Sequence, residues 1–204
     1  MNKEKLLVAA GFAIAIAGAH LLDGWVFEHL QLPRLAESDL GRMLRVLGFL
    51  PLWIIVAAAV ALGAERSIPA KLRRRRGWLV VGSAALGGIV AEGLKILLRR
   101  ERPAAGVDGY RFRPWSEETF ATAGLGLPSS HALVAFAAFA MLGILYPPAR
   151  PLWWALAAGC AFSRLAAGAH FLSDVVAAAA IGYAVAVLLA RAWPPDGPVA
   201  RPAD

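Results

Sequence analysis

Hydrophobic positions in this chain neither alternate nor keep to one helical face; they come in long runs. Residues 6–27, 46–64, 78–98, 130–146, 152–169 and 174–193 are each predominantly apolar. A helix needs roughly 20 such residues to cross about 30 Å of hydrocarbon. Because lipid offers no partner for an unpaired backbone group, six runs of this kind predict an all-α polytopic bundle of six transmembrane helices. Small residues recur within them, as in Gly82-Ser83-Ala84-Ala85, Gly87-Gly88 and residues 177–180, and allow helices to approach closely. Between the first two runs the pattern changes. Leu35, Leu40, Met43, Leu44 and Leu47 recur at near-helical spacing among Glu37, Asp39, Arg42 and Arg45, predicting an amphipathic helix on the outer surface. The first run, preceded by Lys3 and Lys5 and containing Ala17-Gly18-Ala19, is similar to a signal peptide, but its length favours a retained span. Residues 1–193 then form a single six-span domain, and the Pro-rich residues 194–204 a disordered cytoplasmic tail.

Composition narrows the function classes. The 204 residues are 59% hydrophobic and 17% charged, with mean hydropathy +0.59 and net charge +7. A soluble domain carries about 25% charged residues. A disordered chain is excluded, and so is a basic nucleic-acid binder with a solvated surface. One cysteine, Cys160, excludes a disulfide framework and a zinc site built on cysteine pairs, and reads as a small packing residue.

The positive charge divides between two sides. Arg66, Lys71 and the run Arg73, Arg74, Arg75 and Arg76 lie between the second and third spans, and Lys3, Lys5, Arg150, Arg191 and Arg201 fall on the same side. This is a positive-inside signal rather than a dedicated anionic-lipid patch, and it places both termini in the cytoplasm. Trp78, Trp153, Trp154 and Trp193 mark the same interface. Arg99, Arg100, Arg102, Arg111 and Arg113 oppose the rule, lying on the outer side between the third and fourth spans. Phosphate recognition and headgroup anchoring both account for them.

Ionisable residues in or beside apolar spans point to function. Lys95 and Arg102, Ser129, Ser130 and His131, and Ser163, Arg164, His170 and Asp174 all fall at the outer ends of their spans. Lys95, Arg102 and Arg164 offer fixed positive charge for a phosphoryl group. The start of the fourth span, with a serine as N-cap, directs backbone N–H groups and a positive dipole end toward the same face. Asp174, four residues after His170, is placed to fix its tautomer if both are helical, leaving His170 as nucleophile and His131 as general acid.

These residues resemble a known signature. Lys95 with Arg102-Pro103, then Pro128-Ser129-Ser130-His131, then Ser163-Arg164, His170 and Asp174 are similar to the three motifs of the type 2 phosphatidic acid phosphatase superfamily. The resemblance implies a phosphatase that uses neither metal nor cofactor. In it His170 attacks phosphorus to form a phosphohistidine, Asp174 orients it, and His131 protonates the leaving group. Lys95, Arg102, Ser129, Ser130 and Arg164 bind the phosphoryl oxygens. Ser130 departs from the pattern, which usually has glycine there; serine keeps the N–H and adds a hydroxyl, so Ser130→Gly is expected to retain or raise turnover.

The expected protein is thus a lipid phosphatase of a bacterial inner membrane, its site facing the periplasm or exterior and its partners the bilayer and a lipid phosphate. Undecaprenyl diphosphate is the first substrate, ahead of phosphatidic acid, phosphatidylglycerol phosphate and lipid A phosphates. A phosphotransferase using the same site, or a non-catalytic lipid-binding protein, are the alternatives. Glu92 reads as a structural partner of Lys95, and His20, Asp23 and His29 as interfacial residues. Trp115, Glu117 and Glu118 stand in the loop before the second motif, and their role is open.

Overall fold

The computed structural model describes residues 3–63, 68–104 and 109–195, with side chains from residue 10 onward. The expectations placed on Arg66, Arg201, the side chains of Lys3 and Lys5, and most of the tail lie outside these residues. Among the described residues there are eight α-helices and no named strand: α1 (Lys3–His29), α2 (Pro33–Glu37), α3 (Asp39–Val46), α4 (Leu50–Leu62), α5 (Ala70–Leu98), α6 (Ser130–Leu145), α7 (Arg150–Ala166) and α8 (Leu172–Ala192).

Helix α6 is the axis, buried along nearly its whole length and flanked by α5, α7 and α8. Outside this group α1 lies against α8, α4 against α5, and α3 against α7. Small side chains make the central crossing close. A Cβ on Gly182 of α8 would stand 2.9 Å from Ala137 N and Leu133 O of α6, so glycine alone permits this contact. Ser83 of α5 donates to the carbonyl of Ala137 at 2.8 Å, tying α5 to the same helix α6. Trp53 fills the α4–α6 interface, its ring edge-on to Phe139 at 4.8 Å and its indole N–H donating to Leu47 O at 2.9 Å.

The helices coincide with the six apolar runs, but their lengths differ from the expectation. Three are long and apolar enough to cross a membrane: Ala10–His29 within α1, then α5 and α8. Helices α3 and α4 together pass the same test but bend by 69° at their junction, so the run at residues 46–64 is a 13-residue helix behind a turn. α6 is apolar but only 16 residues long, and α7 spans 17 between a 3₁₀ turn at Pro147–Ala149 and Gly168, whose φ of +60° stops the helix. Apolar side chains also cover the outer faces, among them Leu21, Ile55, Leu62, Ile89 and Leu188, as lipid contact requires. The amphipathic segment is two helices rather than one. Ser38, in extended conformation, breaks it and caps α3 by accepting from Gly41 N at 3.2 Å. Leu44 then packs on Gly159 of α7 while Leu40 and Met43 face outward.

Candidate active site

Arg99 ends α5 in the left-handed conformation, at φ 53°, and turns the chain into the 99–129 segment. Irregular backbone has few internal partners for its carbonyls, and here arginines supply them. The Arg99 guanidinium donates to the carbonyls of Pro114 at 2.8 Å, Arg113 at 2.9 Å, Thr119 at 3.1 Å and Glu117, and lies 5.0 Å from the Trp115 ring centre. Arg111 and Arg113 reach Glu101 at 3.6 and 3.7 Å, and Arg113 pairs with Glu118 at 2.8 Å. Arg100 turns inward to Asp174. The basic outer loop is therefore chiefly a scaffold. Of its five arginines only Arg102, exposed, makes neither an ion pair nor a side-chain hydrogen bond among the described residues. Trp115, Glu117 and Glu118 belong to the same scaffold.

Backbone bonds join the three motifs. Gly126 N donates to Arg100 O at 2.7 Å, Arg102 N to Gly124 O at 2.9 Å, and Ser129 N to Asp174 O at 3.2 Å. After the cis Leu127–Pro128 peptide, Ser129 caps α6, its hydroxyl accepting from Ala132 N at 3.5 Å.

His170 lies just before α8 and is 2% exposed. Its Nδ1 stands 3.0 Å from Gly126 O and 3.4 Å from Asp174 Oδ2. Both are acceptors, so the proton belongs on Nδ1 and Nε2 keeps its lone pair. Burial pushes the His170 pKa below its ordinary value; Asp174 opposes this, and the charges of Arg102 and Arg164 reinforce it. The neutral imidazole is therefore the favoured form.

Asp174 is the third residue of α8, so the pair does not share a helical face; the carboxylate reaches back over the helix start. Its Oδ2 also accepts from Phe171 N at 2.9 Å, and its Oδ1 accepts from Arg100. Arg100 additionally donates to Ser173 Oγ at 2.7 Å and approaches His20 Nε2 at 3.3 Å. Asp23, read from sequence as interfacial, is 2% exposed. It accepts from Ser173 N at 2.7 Å, from Ser173 Oγ, and from the Tyr110 hydroxyl at 2.7 Å. Burial and the Asp23 carboxylate raise the Tyr110 pKa to about 12, which keeps this donor protonated. Asp23 and Arg100 thus connect α1 and the loop to Asp174. An ionisable residue in an apolar run was the available signal for Asp23. Arg100 had none, standing among five similar arginines.

Lys95 is buried and bonds Glu92 Oε1 at 3.1 Å and Ser130 Oγ, while Ser130 Oγ donates to Glu92 Oε1 at 2.6 Å. The Ser130 hydroxyl is thus engaged by Lys95 and Glu92. His131, half-buried on the first turn of α6, packs against Gly48, where a Cβ would lie 2.6 Å from its Cα. Cys160 Sγ lies 3.6 Å from the His131 carbonyl, a packing contact. Arg164 is 8% exposed, its Nε buried without a hydrogen-bond partner, and it makes no ion pair among the described residues. The charges of Arg164, Arg102 and Arg45 all act on His131. Arg45, on α3, was not singled out in the sequence, where it looked like part of a solvated helix face.

A chain that gathers two histidines, a carboxylate and unpaired arginines at one end of a helical bundle also has relatives. Residues 76–197 match the sequence model of the PAP2 superfamily. The chain belongs to the PAP2 superfamily. It is a phosphatase and a membrane protein. It is 32% identical over 138 residues to the decaprenylphosphoryl-5-phosphoribose phosphatase of Mycobacterium tuberculosis, in strains CDC 1551 / Oshkosh and ATCC 25618 / H37Rv, covering 67% of this chain and 69% of the relative. A transmembrane PAP2-type phosphatidylglycerolphosphate phosphatase from Bacillus subtilis has a similar fold, with a TM-score of 0.61 at 18% identity over 90% of this chain and 92% of the other.

Proposed function

We propose that this PAP2 phosphatase hydrolyses a lipid phosphate through a phosphohistidine on His170. The observation that carries the reading is Arg164: an arginine 8% exposed, with no ion pair among the described residues, whose charge acts on both histidines. A buried, uncompensated cation is costly and calls for an anion. The charge of Arg102, likewise without an ion pair among the described residues, acts on Arg164, and Lys95, paired with Glu92, is the third cation assigned to the phosphate.

His170 Nε2 attacks phosphorus while the bond from phosphorus to the lipid oxygen breaks. His131, protonated, gives its proton to that oxygen, and the lipid alcohol leaves. Water then attacks the phosphohistidine with His131 as base, releasing inorganic phosphate and restoring His170. The cations supply the charge stabilisation, and no metal is part of the proposed cycle.

The reading includes six crossings by α1, α4, α5, α6, α7 and α8 within residues 1–193, cytoplasmic termini and a site at the outer face of a bacterial inner membrane. The positive-inside charge pattern and the clustering of the site at one end of the bundle support it. The relative from Mycobacterium tuberculosis moves a polyprenyl-phosphoryl-sugar phosphate ahead of undecaprenyl diphosphate as the first substrate to test. The test is phosphate release from a panel of lipid phosphates, with and without chelator. Wild type is expected to release phosphate in both conditions and to trap label from a labelled substrate on His170. His170→Ala is expected to do neither. Release by a folded His170→Ala protein overturns the mechanism, chelator-sensitive release overturns the metal-free cycle, and label passed to a lipid hydroxyl identifies a transferase.

A further inference from the structure

The position where this chain departs from the family motif is also where its phosphate-facing lysine is held. Ser130 Oγ accepts from Lys95 and donates to Glu92 Oε1 at 2.6 Å, and the same carboxylate oxygen lies 3.1 Å from Lys95 Nζ. The Lys95 side chain is 5% exposed and that of Glu92 44%. One end of this triad is therefore sealed in the bundle, and the carboxylate at the other is partly exposed. Glycine at 130 would leave Lys95 with Glu92 alone and Glu92 with Lys95 and the Thr122 hydroxyl as its remaining partners.

We infer that Glu92 and Ser130 form a charge filter on the leaving-group side of the phosphate pocket, selecting phosphomonoesters whose neighbouring groups are hydroxyls over lipid diphosphates. The inference rests on the lipid phosphatase reading above. A carboxylate one contact beyond the ammonium that holds the phosphoryl group lies within reach of groups flanking the scissile ester. It accepts hydrogen bonds from hydroxyls, such as those of a sugar. It repels a second phosphate joined directly to the scissile one, which disfavours a diphosphate. Ser130 holds the carboxylate in place, so its fixed charge is present before substrate arrives. Glu92 and Ser130 act on the substrate's surroundings and through Lys95, so they are specificity and positioning residues.

The experiment measures kcat and KM separately for wild type, Glu92→Gln, Glu92→Asp and Ser130→Gly on two substrates in detergent micelles. These are a polyprenyl-phosphoryl-sugar monophosphate and a polyprenyl diphosphate. Wild type is expected to prefer the monophosphate. Glu92→Gln, which keeps the hydrogen bonds and loses the charge, is expected to shift the kcat/KM ratio toward the diphosphate by about tenfold or more, mainly through KM. Glu92→Asp, which retains charge, is expected to keep the wild-type preference, and Ser130→Gly to shift it in the direction of Glu92→Gln but less far. Equal loss on both substrates in Glu92→Gln, or a ratio unmoved in both Glu92→Gln and Ser130→Gly, overturns the filter. Absence of phosphate release from either substrate by wild type overturns the lipid phosphatase reading instead. Should Glu92→Gln fail to fold, Ser130→Gly decides the outcome.

Discussion

Arg100→Met tests the network behind the proposed nucleophile most directly. Arg100 and Asp174 form an ion pair with side chains 2% and 0% exposed, so removing the cation strands a carboxylate where water cannot replace it. Breaking a buried pair in this way costs about 3–5 kcal/mol. The loss of the bond to Ser173 Oγ, at 2.7 Å, falls on the same group of residues. Activity is expected to fall as well, by about 10- to 100-fold, the scale for removing an outer partner that orients a working imidazole. The accompanying pH signature separates orientation from simple destabilisation. Asp174 favours the imidazolium form of His170, and Arg100 offsets that carboxylate's charge. Without Arg100 the His170 pKa rises, and the acid limb of kcat/KM moves to higher pH. Asp174→Asn moves it the other way. The assay is denaturant unfolding in detergent alongside pH-rate profiles for Arg100→Met, Asp23→Asn and the double variant. Asp23 and Arg100 share Ser173, so their losses are expected to be non-additive by about 0.5–3 kcal/mol. An Arg100→Met protein within 1 kcal/mol of wild type by the same measurement, with an unmoved acid limb, refutes the reasoning.

Three further outcomes are expected. Because burial depresses the His170 pKa, its neutral form survives below the ordinary value near 6.5, and the stability tied to it is present above that value and lost as pH falls through the folded one; the acid limb of kcat/KM in wild type should lie below pH 6.5 in a pH-rate series. Arg164→Gln is expected to reduce kcat/KM by about 10²–10³ while leaving the empty protein as stable as wild type or more so in a melting assay, since an unpaired buried charge is removed. Gly182→Leu pushes side-chain atoms into the α6 backbone, with even its Cβ 2.9 Å from Ala137 N, and is expected to cost about 1–3 kcal/mol or more in unfolding measurements.

Much of the candidate site was legible because its chemistry sits in short motifs on an apolar background. Lys95, Arg102, His131, Arg164, His170 and Asp174 stand out as ionisable residues at span ends. Their partners were less legible. Asp23 lies 150 residues before Ser173, and its burial depends on α1 packing against α8. Arg99 and Arg100 are neighbours in sequence, yet one holds loop carbonyls and the other the catalytic candidate Asp174. The left-handed turn at Arg99 sends their side chains to different places, and residue type carries no mark of it.

By itself the sequence determined the class of molecule, because hydropathy over about 20 residues is a local property that lipid reads directly. It also determined the residue types available for phosphate chemistry and their order along the chain. Only the tertiary structure decided which cations are paired and which are not. Pairing depends on distances between segments far apart in sequence, and on the exclusion of water when helices pack. The same packing placed Ser130 between Lys95 and Glu92.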